Sequence, residues 1–93
     1  MTLRVVRSPR AAAEIRVIAL YLMEFSPPAA QRFLLAMQQA NERLAAFPNS
    51  GTPGSFGATR KLILGDYIVS YRVKRETVQI FAVRHAKRRD ARP

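Results

Sequence analysis

The hydrophobic positions change their period once along the chain, from a three-or-four spacing in the first half to strict alternation in the second. Residues 3–7 interleave apolar and charged side chains, which predicts a short strand. Ser8 and Pro9 then predict a helix start, because serine supplies an N-cap oxygen and proline leaves no unpaired N–H at the first helical position. The apolar stripe of this helix follows at spacings of three and four: Ala11, Ile15, Ile18, Leu22 and Phe25.

A second helix is predicted directly after the first. Ser26 and the two prolines that follow it repeat the same start signal. Its stripe is Ala30, Phe33, Met37, Ala40, Leu44 and Phe47. Neither stripe lasts the roughly three to four heptads of a coiled coil, so both are interpreted as faces that pack on a core. Two helices joined by so few residues must fold back as an antiparallel hairpin.

Residues 48–57 are rich in proline, glycine and serine and predict a loop. Their spacing matches neither the dinucleotide fingerprint nor the P-loop, which argues against a phosphate cradle. Beyond Thr59 the period becomes two and predicts three strands, over residues 60–64, 67–73 and 77–85. Their turns are Gly65-Asp66 and Lys74-Arg75-Glu76. In the last strand, alternation places Val78, Ile80 and Ala82 on one face and Gln79, Phe81 and Val83 on the other.

The element order predicts an α+β fold: an N-terminal strand, then an antiparallel helical hairpin packed on a mainly antiparallel sheet, β-α-α-β-β-β. A chain of 93 residues is expected to form a single domain over 1–93, with 86–93 as a basic tail. It has no cysteine, no apolar run of the ~18 residues that a membrane span needs, and an N-terminus unlike a signal peptide. We therefore expect a cytoplasmic protein without membrane contact.

The net charge of +10 indicates which class of molecule the chain would bind. Residues 60–93 hold ten basic and three acidic groups, a net of +7, whereas residues 1–59 hold six and three. A field of this size favours a polyanion, either nucleic acid or an acidic protein. With one histidine, no cysteine and scattered carboxylates, we expect no metal site and no cofactor. The glutamates of the predicted helices, Glu14 among them, are interpreted as solvated surface.

Candidate site residues cluster at two strand ends. Arg60 and Lys61 begin one strand, and the segment of Arg84, His85, Lys87, Arg88 and Arg89 closes another. We expect both ends to lie on the same edge of the domain and to form one basic patch for phosphate or an acidic protein surface. His85 has two interpretations at this point: a general base or phosphate contact, or a histidine hydrogen-bonded to the backbone.

Four segments together resemble the RelE/ParE toxin family: SPRAAAEIRVIALYL, PPAAQRFLLAMQQANERLAAFPNSGTPG, TRKLILGDYIVSYRV and VQIFAVRHAKRRD. The most specific positions are Phe47-Pro48 with Gly51 and Pro53-Gly54, then Tyr67, Tyr71-Arg72-Val73 and Val83-Arg84-His85. The resemblance implies a helical hairpin on an antiparallel sheet. It also implies a type II toxin that arrests growth until an acidic, co-encoded antitoxin folds on it. We expect that antitoxin to contact the hairpin and the exposed sheet face, through outward residues such as Val17, Tyr21 and Leu34.

The family divides by target, into RelE-like toxins that cut mRNA in the ribosome and ParE-like toxins that inhibit DNA gyrase. The RelE-type pattern has an arginine directly after the strand tyrosine, where this chain has Ile68, although Lys61 and Arg88 match basic positions of that pattern. The amino-acid sequence of the helical hairpin and of the last two strands resembles ParE-like toxins more closely than RelE-like toxins. The resemblance thus favours gyrase inhibition. A ribosome-dependent endoribonuclease using His85, Lys61 and Arg88 is the alternative, and a non-toxic nucleic-acid-binding module is a third hypothesis.

Overall fold

The computed structural model describes residues 2–55 and 57–87. The elements are, in chain order, β1 (Arg4–Arg7), α1 (Pro9–Phe25), α2 (Pro27–Ala46), β2 (Thr52–Pro53), β3 (Thr59–Leu64), β4 (Tyr67–Lys74) and β5 (Thr77–His85). No helix in this part of the chain combines the length and the apolar character needed to cross a membrane. The predicted α+β fold, a helical hairpin on a mainly antiparallel sheet, is confirmed.

The strands form one five-stranded mixed sheet in the order β1-β5-β4-β3-β2. β1 runs parallel to β5, and every other neighbouring pair is antiparallel. The two-residue strand β2 was not predicted, because it lies inside the loop of breaker residues. It forms there because Thr52 and Pro53 pair with Lys61 and Arg60 at the sheet edge, a position that tolerates proline.

Both helices begin at the predicted caps. The Ser8 hydroxyl accepts from the Ala11 amide at 3.0 Å, and the Ser26 hydroxyl accepts from the Ala29 amide at 3.4 Å. The predicted stripes are buried or half-buried except at their final positions, where Phe25 is 70% and Phe47 is 67% exposed. Phe25 is the last residue of α1 and Phe47 is the C-cap of α2. The expectation that these two rings belong to the core was therefore wrong, because each apolar stripe extends beyond the residues that pack against it.

The core lies between the helical hairpin and one face of the sheet. Its largest fully buried side chains are Tyr71, Met37, Leu44, Ile80, Val69, Val78 and Val83. Burial of this apolar surface is the main favourable term in folding. We call the covered side of the sheet the helix-side face and the other side the open face.

A bulge in β5 overturns the predicted alternation of that strand. Tyr71 pairs with Ile80 and Ser70 pairs with Ala82, so Phe81 is an extra residue with no partner on β4. One extra residue shifts everything after it to the opposite face. Val83 consequently lies in the core with Ile80, and Ala82 lies on the open face, the reverse of what uninterrupted alternation predicted.

Candidate functional site

The open face carries cations and no carboxylate. Alternation from the core positions, together with the strand register, places five basic side chains on it: Arg4, Lys61, Arg72, Lys74 and Arg84. None of the five strands contains Asp or Glu; the acidic residues of the described chain lie in the two helices and in the strand turns. The Arg72 guanidinium lies 5.0 Å from the centre of the Phe81 ring, a cation–π contact that holds it on this face.

Arg60 is directed to the other side of the sheet and has structural partners there. Its guanidinium donates to the carbonyl oxygen of Gly51 at 2.7 Å and of Asn49 at 3.2 Å. These two bonds fasten the loop after α2 onto β3. Arg60 and Lys61 are adjacent in the sequence, yet only Lys61 reaches the open face.

The expectation that the two basic strand ends lie on the same edge of the domain was wrong. β3 and β5 are both antiparallel to β4, so they run in the same direction. Arg60 is level with Tyr71, whereas His85 is level with Tyr67, four residues away along β4. At the rise of a strand this is a separation of roughly 14 Å along the sheet. The start of β3 and the end of β5 therefore lie toward opposite ends of the domain.

His85 lies on the helix-side face at the end of β5. It pairs with Tyr67, and the two rings meet edge to face with their centres 5.2 Å apart. Its Nδ1 accepts a hydrogen bond from the Lys87 amide at 3.1 Å. Of the two interpretations given to His85, hydrogen bonding to the backbone is the contact observed. The ring also borders the cleft between α1 and the sheet.

That cleft has a volume of about 350 Å³. Helix α1 contributes Val17 and Tyr21 to its wall, and the sheet contributes Tyr67, Arg84 and His85. The side chains of Val17 and Tyr21 are 63% and 45% exposed, so the cleft opens to solvent between an apolar helix flank and a basic strand end. Leu34, the third expected antitoxin contact, is 46% exposed on α2 and is not part of this lining.

Glu14 joins helix α1 to the bulged strand. One carboxylate oxygen accepts from the backbone amide of Val83 at 2.8 Å, and the other accepts from Arg10 Nε at 3.1 Å. The interpretation of Glu14 as solvated surface was therefore wrong. No local signal marked this residue, because its partner lies 69 positions away in the sequence and its role depends on a bulge that periodicity does not reveal.

The two described residues of the hypothetical ribonuclease site, His85 and Lys61, do not converge on one point. His85 lies on the helix-side face and Lys61 on the open face, with the sheet between them. Arg88 and Arg89 fall outside the described residues. Within residues 2–55 and 57–87, no group of three His, Cys, Asp or Glu side chains could hold a metal ion.

Comparison with known proteins gives a family. The sequence pattern of the family described as the ParE toxin of the type II toxin-antitoxin system, parDE, matches residues 5–90. The chain is 39% identical to Y4kP of Sinorhizobium fredii over 79 residues, which cover 83% of this chain and 81% of that protein. It is 34% identical to the toxin RelE2 of Caulobacter vibrioides over 85 residues, which cover 91% and 97%.

Solved structures share the fold at lower identity. A chain of the chromosomal ParDE toxin–antitoxin system from P. aeruginosa superposes with a TM-score of 0.82 at 20% identity, covering 92% of this chain and 98% of that one. A chain of the RelBE2 toxin–antitoxin complex from Mycobacterium tuberculosis gives a TM-score of 0.67 at 20% identity, covering 91% and 99%. Both ParE-type and RelE-type structures thus have this architecture.

Proposed function

The chain belongs to the ParE toxin family of type II toxin–antitoxin systems, and from this membership we propose that it arrests growth by inhibiting DNA gyrase. It is the toxin of such a module. The observation that carries the choice of target is the separation of His85 from Lys61 by the thickness of the sheet. A protein that blocks an enzyme by binding needs a surface, whereas a ribonuclease needs a convergent site.

The chemistry of RNA cleavage explains why this separation matters. A base must reach the 2′-OH while cations stabilise the charge that develops on the same phosphate, within hydrogen-bond distance of it. His85 faces the helices, where its Nδ1 is engaged by the Lys87 amide. Ile68 occupies the open face beside Arg84, at the position where the RelE-type pattern has arginine. These placements favour gyrase over mRNA as the target.

The open face is the surface we assign to the target. Lys61 and Arg84 lie on it together with Arg72, and no strand supplies a carboxylate to neutralise them. Clustered cations on a rigid sheet attract an acidic surface and raise the rate of association. Lys87 lies two residues beyond the end of β5 and continues the same basic segment, which runs on to Arg88 and Arg89 in the sequence. Arg60 is left out of this surface because its guanidinium is engaged by the loop.

The cognate antitoxin is assigned to the cleft between α1 and the end of β5. Its walls offer the apolar side chains of Val17 and Tyr21 beside His85, and Arg84 of the open face borders it at the end of β5, so the antitoxin and the target would share this residue. An amphipathic acidic segment fits this combination, because apolar groups bury against the helix while carboxylates meet the cations. Leu34 stays a predicted antitoxin contact, on a separate part of the hairpin.

The test is pulse-labelling of DNA and protein synthesis just after this chain is induced alone, in a cytoplasm that lacks its antitoxin. Gyrase inhibition predicts early loss of DNA synthesis with a DNA-damage response while protein labelling continues. Early loss of protein synthesis with intact DNA labelling would overturn the proposal in favour of mRNA cleavage. Undisturbed growth, together with salt-dependent DNA binding in vitro, would overturn it in favour of a nucleic-acid-binding module.

A further inference from the structure

The bulge at Phe81 decides which face of the sheet each residue at the end of β5 occupies. Ile80 and Val83 both lie in the core, although two residues separate them where regular alternation allows one. After the bulge, Ala82 pairs with Ser70 and Arg84 with Ile68 on the open face. Without it, the same residues would exchange faces, because the side-chain period of a strand is two.

The exchange of faces would remove the charge of Arg84 from the target surface. The Arg84 side chain would turn from the open face to the helix-side face, and Val83 would leave the core for solvent. In the observed, bulged register, Arg84 is exposed and Val83 is only 2% exposed. The bulged register is thus the one in which the open face gains a cation and the core keeps a valine.

Two side chains outside the sheet contact this part of β5: the Ser8 hydroxyl donates to the Phe81 carbonyl oxygen at 3.4 Å, and the second side chain is that of Glu14. Its Oε1 accepts from the Val83 amide at 2.8 Å, two residues after the extra Phe81. β1 ends level with Ile80, so β5 has no neighbouring strand on that side at Val83, and a buried unpaired N–H is costly. A carboxylate is a strong acceptor for such a group, since hydrogen bonds to a charged acceptor are stronger than neutral ones.

The second oxygen of Glu14 accepts from Arg10 one turn earlier on α1, at 3.1 Å. Arg10 is mostly exposed, so this ion pair adds little by itself. It does provide a partner for the oxygen that Val83 does not use. The two contacts can be separated experimentally, because only one of them reaches the strand.

We propose that Glu14 is a positioning residue that holds the β5 bulge and thereby keeps Arg84 on the open face. The structural part of this proposal concerns the chain alone. Its functional part rests on the proposed target surface, because the position of Arg84 affects toxicity only if the open face meets the target.

The structural part is tested by amide exchange and cross-strand contacts in the purified chain. Glu14→Ala should speed hydrogen exchange of the Val83 amide by about ten- to hundredfold, because the amide loses its hydrogen bond to a charged acceptor. Contacts between Val69 and Val83 should weaken, while the pairing of β3 with β4 stays unchanged. Glu14→Gln, which keeps an acceptor oxygen, should restore most of the protection, and Arg10→Ala should leave the Val83 amide protected. Unchanged exchange and unchanged pairing in Glu14→Ala would overturn the proposal.

Deletion of Phe81 provides an independent test of whether Glu14 acts through the bulge. It removes the extra residue, so a regular strand would still place Ile80 opposite Tyr71 and Ala82 opposite Ser70. Glu14→Ala should then have little effect on the pairing at Val83 in the deletion background. An equally large effect there would contradict a role through the bulge. If the deletion variant fails to fold, the exchange measurements on the full-length chain decide alone.

Growth arrest after induction tests the functional part. Glu14→Ala should lose arrest, Glu14→Gln should recover much of it, and Arg10→Ala should keep it. A Glu14→Ala variant that has the altered pairing but arrests growth normally would overturn the functional part. It would also remove Arg84 from the proposed target surface. The pulse-labelling experiment under the proposed function uses the unmodified chain. A failure of the gyrase assignment is therefore recognised independently of these variants.

Discussion

The Tyr71 hydroxyl accepts a hydrogen bond from the Gly51 amide at 3.0 Å while donating to the Pro48 carbonyl oxygen at 2.8 Å. The tyrosine is fully buried. One side chain of β4 therefore satisfies two backbone groups of the loop that follows α2. Arg60 fastens the same loop from β3. The proline, glycine and tyrosine positions that carry the family resemblance thus have a structural purpose, which is to attach the helical hairpin to the sheet.

Gly51→Ala is expected to destabilise the fold. A Cβ at this position would overlap the Lys61 carbonyl oxygen and the Tyr71 hydroxyl, so the loop or the strand must move. Overpacking of this kind costs about 1–3 kcal/mol in the free energy of unfolding. Chemical denaturation measures the loss. Ser55→Ala, an exposed change in the same loop, is the control and should stay within about 0.5 kcal/mol of the parent; equal stability of the two variants would contradict the overlap.

Tyr71→Phe tests the hydroxyl without removing the ring. The substitution leaves the Gly51 amide and the Pro48 carbonyl oxygen without their partner, and unsatisfied buried groups cost about 1–3 kcal/mol. The loop should also become more sensitive to proteases, because its attachment to β4 is lost. Denaturation and limited proteolysis check the two effects. A parent-like denaturation midpoint would show that the hydrogen bonds add nothing.

Arg75→Asn is expected to stabilise the chain slightly. Arg75 lies in the turn between β4 and β5 with a φ of 55°, a conformation that is unfavourable for a long side chain and tolerated by asparagine. Because Arg75 is exposed, little packing is lost, and a gain of about 0.5 kcal/mol is expected. Thermal unfolding measures it. The neighbouring Glu76→Asn should bring no such gain, and an equal gain there would argue against relief at Arg75.

Lys61→Ala and Arg84→Ala should each weaken target binding. Both remove a cation of the open face, and exposed charge pairs are worth up to about 1 kcal/mol, a factor of about five in affinity. More inducer should then be needed for the same growth arrest. Arg7→Ala removes an equal charge at an exposed position level with Ile80 on the helix-side face, and it is the matched control. If all three variants lose toxicity equally, net charge alone would explain the effect.

Val17→Asp should weaken antitoxin binding while leaving growth arrest intact. It places a carboxylate in the apolar wall of the cleft, where an acidic partner would be repelled, and a loss of at least about 2 kcal/mol in binding is expected. Titration calorimetry with the purified antitoxin measures it. Leu35→Asp, an exposed position of α2 that does not line the cleft, serves as control. Equal weakening by both would place the antitoxin outside the cleft.

Local sequence signals predicted the elements and some of the site. Serine caps, proline at the first helical turn, the three-or-four stripes and the Gly65 turn act between neighbours in the chain, and the structure has each of them. The concentration of basic residues toward the second half was equally visible. Lys61 and Arg84, two of the basic residues that this concentration pointed to, lie on the open face of the sheet, and their role in target binding is a proposal.

The sequence by itself determined the helical hairpin, the strands and a strongly basic surface, because propensity, capping and charge depend on residues close together in the chain. Only the tertiary structure decided how these parts meet. Strand order placed Arg60 and His85 toward opposite ends of the sheet. The bulge at Phe81 put Arg84 on the open face, and Glu14 joined it from 69 residues away. Register and bulges are set by pairing between distant segments, where a shift of one residue reverses every side chain that follows.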